Sequence, residues 1–335
     1  MRDVIIIPGD GIGPEVAAAA RLVLGASGVG INWIEKLAGA ACIEKYHTPL
    51  PQETIDAVRS AGVALKGPVT TPVGSGFRSV NVALRQELEL YVNLRPVRSI
   101  PGIPSRYEGI DLVIVRENME DLYAGVEHMV GEDAAESIKI FTRGGCRRIL
   151  RYAFEYAASH GRKKVTAVHK ANIMKLTDGM FLAEARKMAA EYPALIYEDK
   201  IVDALCMELV TAPEKFDVLV LPNLYGDIVS DLAAGLVGGL GVAPGANLGD
   251  KTAIFEAVHG SAPTIAGKNV ANPTSLILSG AMLLRHIGEE RAARAVEEAV
   301  AAVAGGGKAL TAEHGGKTGT RELAAAVAAK VKELI

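Results

Sequence analysis

The chain has 335 residues, of which 49% are hydrophobic and 22% charged, and its formal net charge is −3. This length and apolar content predict one large domain or two closely packed ones, and they exclude a disordered chain. The slightly acidic balance and the aromatic fraction of 5% favour neither nucleic acid nor an acidic membrane surface as a partner. Charged residues and proline interrupt the longest apolar stretches, so no membrane-spanning helix is expected.

The cysteines and the first residues indicate a cytoplasmic protein. Cys42, Cys146 and Cys206 lie far apart and form neither a CxxC pair nor a disulfide framework. We expect them to be reduced and buried. Met1-Arg2-Asp3 leads directly into an apolar run, so the sequence predicts no signal peptide.

Strand and helix patterns alternate along the chain. The expected strands are residues 4–7, 31–37, 63–65, 111–115, 165–168 and 218–221. The expected helices are one opened by Pro14 and then residues 51–60, 81–92, 144–159, 177–191, 227–240, 274–287, 289–304 and 321–334. This alternation predicts an α/β fold with a mainly parallel sheet. We expect the chain to cross between two domains near 96–104 and near 249–252.

Residues 66–96 concentrate cationic and polar side chains where a loop rich in glycine and proline becomes a helix. These side chains are Arg78, Ser79, Asn81, Arg85 and Arg95. Each charge-assisted contact between arginine and a carboxylate contributes about 1.5–3 kcal/mol. A helix start adds free N–H donors and a positive dipole end. The segment therefore predicts a site for a small polyanion, without deciding between a binding protein and an enzyme.

Asp227 and Asp231 lie four residues apart in a helical pattern, so their side chains share one face. Because like charges at this spacing repel, the pair favours a bound cation. Ligands that are all oxygen suit Mg²⁺ or Mn²⁺ rather than zinc. Asp203 is a third possible carboxylate. The alternative is an exposed acidic face, which the adjoining apolar residues 232–240 do not favour.

Two polar segments each follow an expected strand, where open α/β sheets place ligands. Lys170 and Asn172 belong to the first segment, and Arg116 and Tyr123 belong to the second. A desolvated lysine can act as a base, and a tyrosine beside cations can donate a proton. Taken alone, however, a solvated lysine explains the first segment equally well, and an ion-paired loop with a half-buried tyrosine is favoured for the second.

Two glycine-bearing loops are candidates for binding phosphates. Residues 9–13 read GDGIG and are followed by Pro14, so a tight turn into a helix is favoured over a dinucleotide fingerprint. The loop 259–272 carries hydroxyl and amide donors that could cradle phosphates, although a plain connection explains it equally well.

Taken together and in this order, the motifs resemble the β-decarboxylating dehydrogenases of isocitrate, homoisocitrate and 3-isopropylmalate. The resemblance runs nearly end to end and is carried by TTPVGSGFRSVNVALR, RENMEDLYAG, VHKANIMK, NLYGDIVSDLAAGLVGGLG and HGSAPTIAGKNVANP. It implies two α/β domains around a cleft, distinct from a Rossmann fold. Residues 1–98 and 252–335 would form a large domain on the cofactor side. Residues 99–251 would form a small domain for dimerisation, metal binding and catalysis, in a homodimer with shared active sites.

The resemblance also implies a role for each candidate residue. The catalytic pair is Tyr123 and Lys170, and the metal carboxylates are Asp203, Asp227 and Asp231. Lys170 and Asp203 would act across the dimer. The substrate-binding residues would be Ser79, Asn81, Arg85, Arg95 and Arg116. The cofactor-binding residues would be Thr71, Asn172, His259, Gly260, Ala262, Thr264, Ile265 and Asn272.

Ser79 and Asn81 match the pair that is typical of isocitrate-using members, whereas isopropylmalate enzymes have an acidic and an apolar residue there. The resemblance therefore predicts oxidative decarboxylation of isocitrate to 2-oxoglutarate and CO2, dependent on Mg²⁺ or Mn²⁺. Homoisocitrate dehydrogenase is one alternative. A non-catalytic regulatory subunit is another, and the presence of Tyr123, Lys170 and the three aspartates argues against it.

The cofactor is predicted to be NAD. NADP-using members place cationic and tyrosine side chains at positions that here read Thr264, Ile265, Ala312 and Gly316. NAD-using members usually have Asp-Ile where this chain has Thr264-Ile265. We expect the neutral threonine to weaken discrimination against NADP, with Lys268 as a weak phosphate contact.

Overall fold

The computed structural model describes residues 1–70 and 79–335. Its strands are β1 (Arg2–Ile7), β2 (Ile31–Glu35), β3 (Val63–Lys66), β4 (Val92–Arg98), β5 (Asp111–Glu117), β6 (Glu127–Val130), β7 (Ala134–Ser137), β8 (Lys164–His169), β9 (Ile196–Ile201), β10 (Val218–Leu221), β11 (Pro244–Leu248) and β12 (Ala253–Ala257). Its helices are α1 (Gly13–Ala26), α2 (Ile43–Tyr46), α3 (Gln52–Ala61), α4 (Val80–Glu87), α5 (Arg143–Ser159), α6 (Thr177–Glu191), α7 (Val202–Thr211), α8 (Asn223–Leu236), α9 (Thr274–His286), α10 (Glu290–Gly305) and α11 (Thr320–Leu334).

Unit 1 is the compact unit formed by Met1–Glu89, Ser99–Glu108 and Val237–Ile335. Its strands lie in the order β2-β1-β3-β12-β11 and are parallel, except that β11 runs antiparallel to β12. Helix α9 packs on β3, β11 and β12, while α1, α10 and α11 pack with α9 or with one another. Residues 4–7 of β1 are at most 1% exposed, as expected for a strand with both faces covered.

Unit 2 is formed by Leu90–Arg98 and Gly109–Leu236. Its strands lie in the order β4-β5-β10-β8-β9, with β4 antiparallel to β5 and the other neighbours parallel. Strands β6 and β7 pair as an exposed antiparallel hairpin. Helix α8 packs against β4, β5 and β10, and α5 and α6 pack on each other. This packing places α8 beside the carboxyl end of β5.

The expected α/β fold with a mainly parallel sheet is confirmed, but one helix prediction was wrong. The pattern of residues 81–92 predicted a single helix, whereas α4 ends at Glu87 and Val92 begins β4. Glu89 has φ +52°, a left-handed backbone that interrupts a right-handed helix. Strands β4, β6, β7, β9, β11 and β12 and helices α2 and α7 were not expected.

The bounds of the compact units differ from the domain boundaries expected from the sequence. Strand β4 was placed in the first domain, yet it hydrogen-bonds to β5 and belongs to unit 2. Residues 237–251 were placed in the second domain, yet they belong to unit 1, where β11 pairs with β12. The roles expected for the two domains stay predictions.

The glycine-rich segment after β1 forms a tight turn into α1. Gly11 has φ +59°, and a Cβ atom there would lie 1.9 Å from the carbonyl oxygen of Ser261. The Asp10 carboxylate accepts hydrogen bonds from the backbone N–H groups of Ala40 and Thr70, at 2.9 and 2.6 Å. Asp10 therefore ties three loops of unit 1 together, a structural role in place of a dinucleotide fingerprint.

The cysteines are free thiols, with Cys42 and Cys146 buried and Cys206 half-buried. Burial raises the pKa of the Cys146 thiol to about 12, which makes it a poor nucleophile. Among the helices in the described part of the chain, none has the length and apolar character needed to cross a membrane.

Candidate active site

Helix α8 presents two carboxylates to two buried guanidinium groups in unit 2. Arg116, the sixth residue of β5, donates from Nη1 to Asp227 and from Nη2 to Asn223 Oδ1 at 2.7 Å. Arg95 of β4 donates from Nη1 to Asp231 Oδ1 at 3.1 Å. Two strands and one helix thus bring together four residues that the sequence had predicted to bind substrate or metal.

The arginines and the aspartates of this cluster differ in exposure. The side chains of Arg116 and Arg95 are 1% and 10% exposed, whereas those of Asp227 and Asp231 are 41% and 56% exposed. The two guanidinium groups are therefore buried, while the carboxylates that they contact remain accessible at the surface of unit 2. Gly226 permits this packing, because a Cβ atom there would lie 2.4 Å from Arg116 Cγ.

Tyr123 converges on the same carboxylate as Arg116. It lies in the short 3-10 turn Leu122–Ala124, and its hydroxyl donates to Asp227 Oδ2 at 2.7 Å. The Arg116 guanidinium lies 5.0 Å from the centre of the Tyr123 ring. A proton donor, a fixed cation and a carboxylate thus meet at one point, an arrangement that general acid catalysis on an anionic substrate requires.

The donor set on α8 fits a hard divalent cation, because it consists of partly exposed carboxylate oxygens. Asp203 does not join this pair: within the described residues of one chain, no three His, Cys, Asp or Glu side chains are grouped to hold a metal ion. The resemblance had implied that Asp203 acts across a dimer, and that role stays a prediction.

Lys170 and Asp203 form a second charged pair in unit 2. Lys170 follows β8 directly, and its Nζ donates to the carboxylate of Asp203 on α7. This hydrogen bond lowers the pKa of the Asp203 carboxyl. The Lys170 side chain is 25% exposed. The neighbouring His169 is buried, and Asn172 is exposed.

Unit 1 holds a buried charge cluster at the carboxyl end of β3. Lys66 Nζ lies 2.7 Å from Glu256 Oε2, and Arg85 Nη2 lies 3.8 Å from Glu256 Oε1. Burial alone raises the pKa of Glu256, but the two cations outweigh it and lower that pKa to about 2. Arg85 is thus held beside a carboxylate that sequence reasoning missed.

The predicted isocitrate-specific pair lies at the start of α4. Ser79 precedes the helix and Asn81 is its second residue, and both are half-buried. Asn81 Oδ1 is buried and has no hydrogen-bond partner among the described residues. Thr71 and Arg78 lie outside the described residues.

The predicted cofactor loop follows β12 in unit 1. His259 Nδ1 lies 3.0 Å from the Gly260 carbonyl oxygen, and burial lowers the pKa of its imidazole, which favours the neutral ring. Ala262 has φ +38° and starts the short turn Pro263–Ile265. Thr264 in that turn is exposed, so its side chain is available to a ligand.

A carboxylate that the sequence reasoning did not consider lies beside this loop. Asn272 Nδ2 donates to Glu313 Oε2 at 2.9 Å, and Asn272 Oδ1 accepts from the N–H of Thr274 at 3.1 Å. These two hydrogen bonds hold the Asn272 amide in a fixed orientation. Among the other residues of the loop, Lys268 is exposed and Ile265 is half-buried.

Comparison with known proteins decides the family. The family described as isocitrate/isopropylmalate dehydrogenase matches residues 3–327. The chain belongs to this family. It is therefore a β-decarboxylating dehydrogenase by family, and the resemblance drawn from the motifs is confirmed.

Family members with different named substrates are almost equally similar to this chain. A mitochondrial NAD isocitrate dehydrogenase catalytic subunit of Arabidopsis thaliana is 50% identical over 96% of this chain and 86% of its own length. A chloroplastic 3-isopropylmalate dehydrogenase of Solanum tuberosum is 49% identical over 90% and 85%. The crystal structure of isocitrate dehydrogenase from Methylococcus capsulatus is 52% identical, with a TM-score of 0.96 over 99% of this chain and 100% of that one. Identity alone therefore does not choose the substrate.

Proposed function

We propose that the protein catalyses the oxidative decarboxylation of isocitrate to 2-oxoglutarate and CO2, with NAD as the hydride acceptor. The observation that carries the proposal is the convergence of Tyr123 and Arg116 on Asp227. It supplies a proton donor and a fixed cation beside a carboxylate that suits a divalent metal.

The predicted substrate arginines, metal carboxylates and catalytic pair each have a chemical task in this reaction. Arg85, Arg95 and Arg116 offset the charge of a tricarboxylate, whose desolvation is otherwise costly. Mg²⁺ or Mn²⁺, held by Asp227, Asp231 and Asp203, would supply Lewis-acid polarisation when bound. Lys170, through its contact with Asp203, assists removal of the hydroxyl proton. Tyr123 holds a proton on its phenolic oxygen and returns it to the carbon that has lost CO2.

The choice of isocitrate rests on Ser79 and Asn81 at the start of α4. Asn81 Oδ1, which has no partner among the described residues, and the Ser79 hydroxyl are polar groups with which an isopropyl substituent could not form hydrogen bonds. 3-Isopropylmalate is the competing substrate, because a relative named for it is 49% identical.

A kinetic panel of isocitrate, homoisocitrate and 3-isopropylmalate against NAD and NADP tests the proposal. We expect the highest kcat/KM for isocitrate with NAD, and no turnover without Mg²⁺ or Mn²⁺. A preference for 3-isopropylmalate or for NADP would overturn the substrate or cofactor assignment. If none of the three acids were turned over, the alternative of a non-catalytic regulatory subunit would be favoured.

We further propose a homodimer in which Lys170 and Asp203 act in the partner's site. Mixing subunits of Lys170→Met and Tyr123→Phe tests this, because only a mixed dimer contains one intact site. Random mixing would restore about a quarter of the wild-type activity. A mixture as inactive as its components would contradict shared sites.

A further inference from the structure

A half-buried lysine of unit 2 lies between the two segments that carry the predicted proton-transfer residues. Lys139, which precedes α5, donates from Nζ to Asp178 Oδ2 at 2.9 Å and to the hydroxyl of Tyr225 at 3.1 Å. Asp121 Oδ1 lies 3.8 Å from the same Nζ. The Lys139 side chain is 12% exposed, and those of Asp178 and Asp121 are 0% and 1% exposed.

Each aspartate holds the backbone of a functional segment. Asp178 Oδ1 accepts the N–H of Lys170 at 2.8 Å. Asp121 Oδ1 accepts the N–H of Leu122 at 2.9 Å, and its Oδ2 accepts the N–H of Leu224 at 2.9 Å. The two carboxylates therefore fix the Lys170 loop, the turn that carries Tyr123 and the first turn of α8.

These carboxylates can keep that arrangement only if their charge is compensated. A buried carboxylate without a counter-charge either takes up a proton or moves, and both weaken its hold on N–H donors. Lys139 is placed to compensate both aspartates. The Asp121 backbone also needs support, because its φ of +70° is costly for a residue other than glycine.

We propose that Lys139 is a positioning residue of the dehydrogenase reaction. Through Asp121 it holds the Tyr123 turn for this chain's own site, and through Asp178 it holds the Lys170 loop for the partner's site. This inference rests on the proposed function, since Tyr123 and Lys170 are the groups assigned to proton transfer. The link from Lys139 Nζ to the Lys170 loop runs through the Asp178 carboxylate, which accepts the backbone N–H of Lys170.

Three variants of the full-length chain test the proposal. Lys139→Met removes the central charge, and Lys139→Arg keeps it. Lys187→Met is the matched control, because Lys187 lies 3.0 Å from Glu184, another buried carboxylate, but outside this network. We expect Lys139→Met to lower kcat about 10- to 100-fold with KM changed by less than about threefold, because misplacement by about 1 Å costs this much. Lys139→Arg should recover part of the loss, and Lys187→Met should keep the wild-type kcat.

Hydrogen exchange supplies a readout that does not depend on turnover. The amides of Leu122, Lys170 and Leu224 should exchange faster in Lys139→Met than in the wild type, with no such change in Lys187→Met. Wild-type exchange at these amides, or a kcat within about twofold of wild type, would overturn the proposal. If the wild type turned over no acid, the proposed function would fail while the exchange data still decided whether Lys139 holds these segments.

A variant that removes one charge of each sign covers the case in which Lys139→Met does not fold. In Lys139→Met/Asp178→Asn the amide oxygen can still accept the N–H of Lys170. The same loss of kcat and of protection at Leu122 and Leu224 is expected, and full activity would overturn the proposal.

Discussion

Lys66 and Glu256 form an ion pair in unit 1, with 2.7 Å between Nζ and Oε2 and side chains that are only 3% and 8% exposed. Asn247 Nδ2 donates to the other carboxylate oxygen at 2.6 Å. Such a pair stabilises the fold little more than apolar side chains packed in its place would. Removal of one partner, however, leaves a buried charge without compensation.

Glu256→Gln should therefore destabilise the protein by about 3–5 kcal/mol at neutral pH. The pKa of Glu256 is lowered from 4.5 to about 2, so its contribution is present above pH 4.5 and is lost as the pH falls towards about 2. Denaturant unfolding of both proteins across this range measures the difference. Equal free energies of unfolding at neutral pH would contradict the prediction.

Glu117 is predicted to affect the free energy of unfolding in the opposite direction to Glu256, with a contribution that is lost as the pH rises. Its carboxylate accepts the N–H groups of Met119 and Glu120, both at 2.8 Å, yet burial raises its pKa from 4.5 to about 7. Between these values the folded state binds more protons than the unfolded state, so stability falls as the pH rises. Relative to Glu117→Gln, the wild type should lose about 2.5 kcal/mol between about pH 5 and about pH 8.

Unfolding by urea at both pH values measures this loss. The control is Asp56→Asn, which changes a carboxylate on the surface of α3. Parallel pH dependences for the wild type and Glu117→Gln would show that Glu117 titrates as an ordinary carboxylate.

Tyr123→Phe is predicted to separate catalysis from stability. Loss of the hydroxyl removes the proposed proton donor, so kcat should fall by about 10²–10⁴. Stability should change by less than about 1.5 kcal/mol, because one hydrogen bond to Asp227 is lost. Steady-state kinetics and thermal unfolding measure the two effects. Tyr46→Phe, which loses a surface hydrogen bond to Glu53, should have wild-type kcat. Wild-type kcat in Tyr123→Phe would exclude Tyr123 as the acid.

Thr264→Asp is predicted to sharpen the preference for NAD. Thr264 is exposed in the turn Pro263–Ile265, and a carboxylate there would repel a 2′-phosphate. The ratio of kcat/KM for NAD to that for NADP should rise at least about tenfold, equivalent to about 1.4 kcal/mol. Thr264→Asn has nearly the same shape as the aspartate but no charge. If it changed the ratio equally, charge repulsion would not be the cause.

Local patterns predicted those parts of the molecule that depend on neighbouring residues. The apolar runs of β1, β5 and β10 and the i, i+4 spacing of Asp227 and Asp231 were correct in type. The helix prediction failed where the apolar spacing of a helix continued beyond the residue at which the helix ends. The spacing Leu84, Leu88 and Val92 suggested one helix, but the left-handed backbone of Glu89 ends it.

The sequence by itself determined the resemblance to the family, the α/β class and the identity of the candidate residues, because motifs and periodicity are local and ordered along the chain. Only the tertiary structure decided which charges meet. Arg116 lies 111 residues from Asp227, Lys139 lies 39 from Asp178, and Lys66 pairs with Glu256 across two neighbouring strands. Strand order and helix packing set these contacts, and the balance of burial and Coulomb energy that fixes each pKa follows from them.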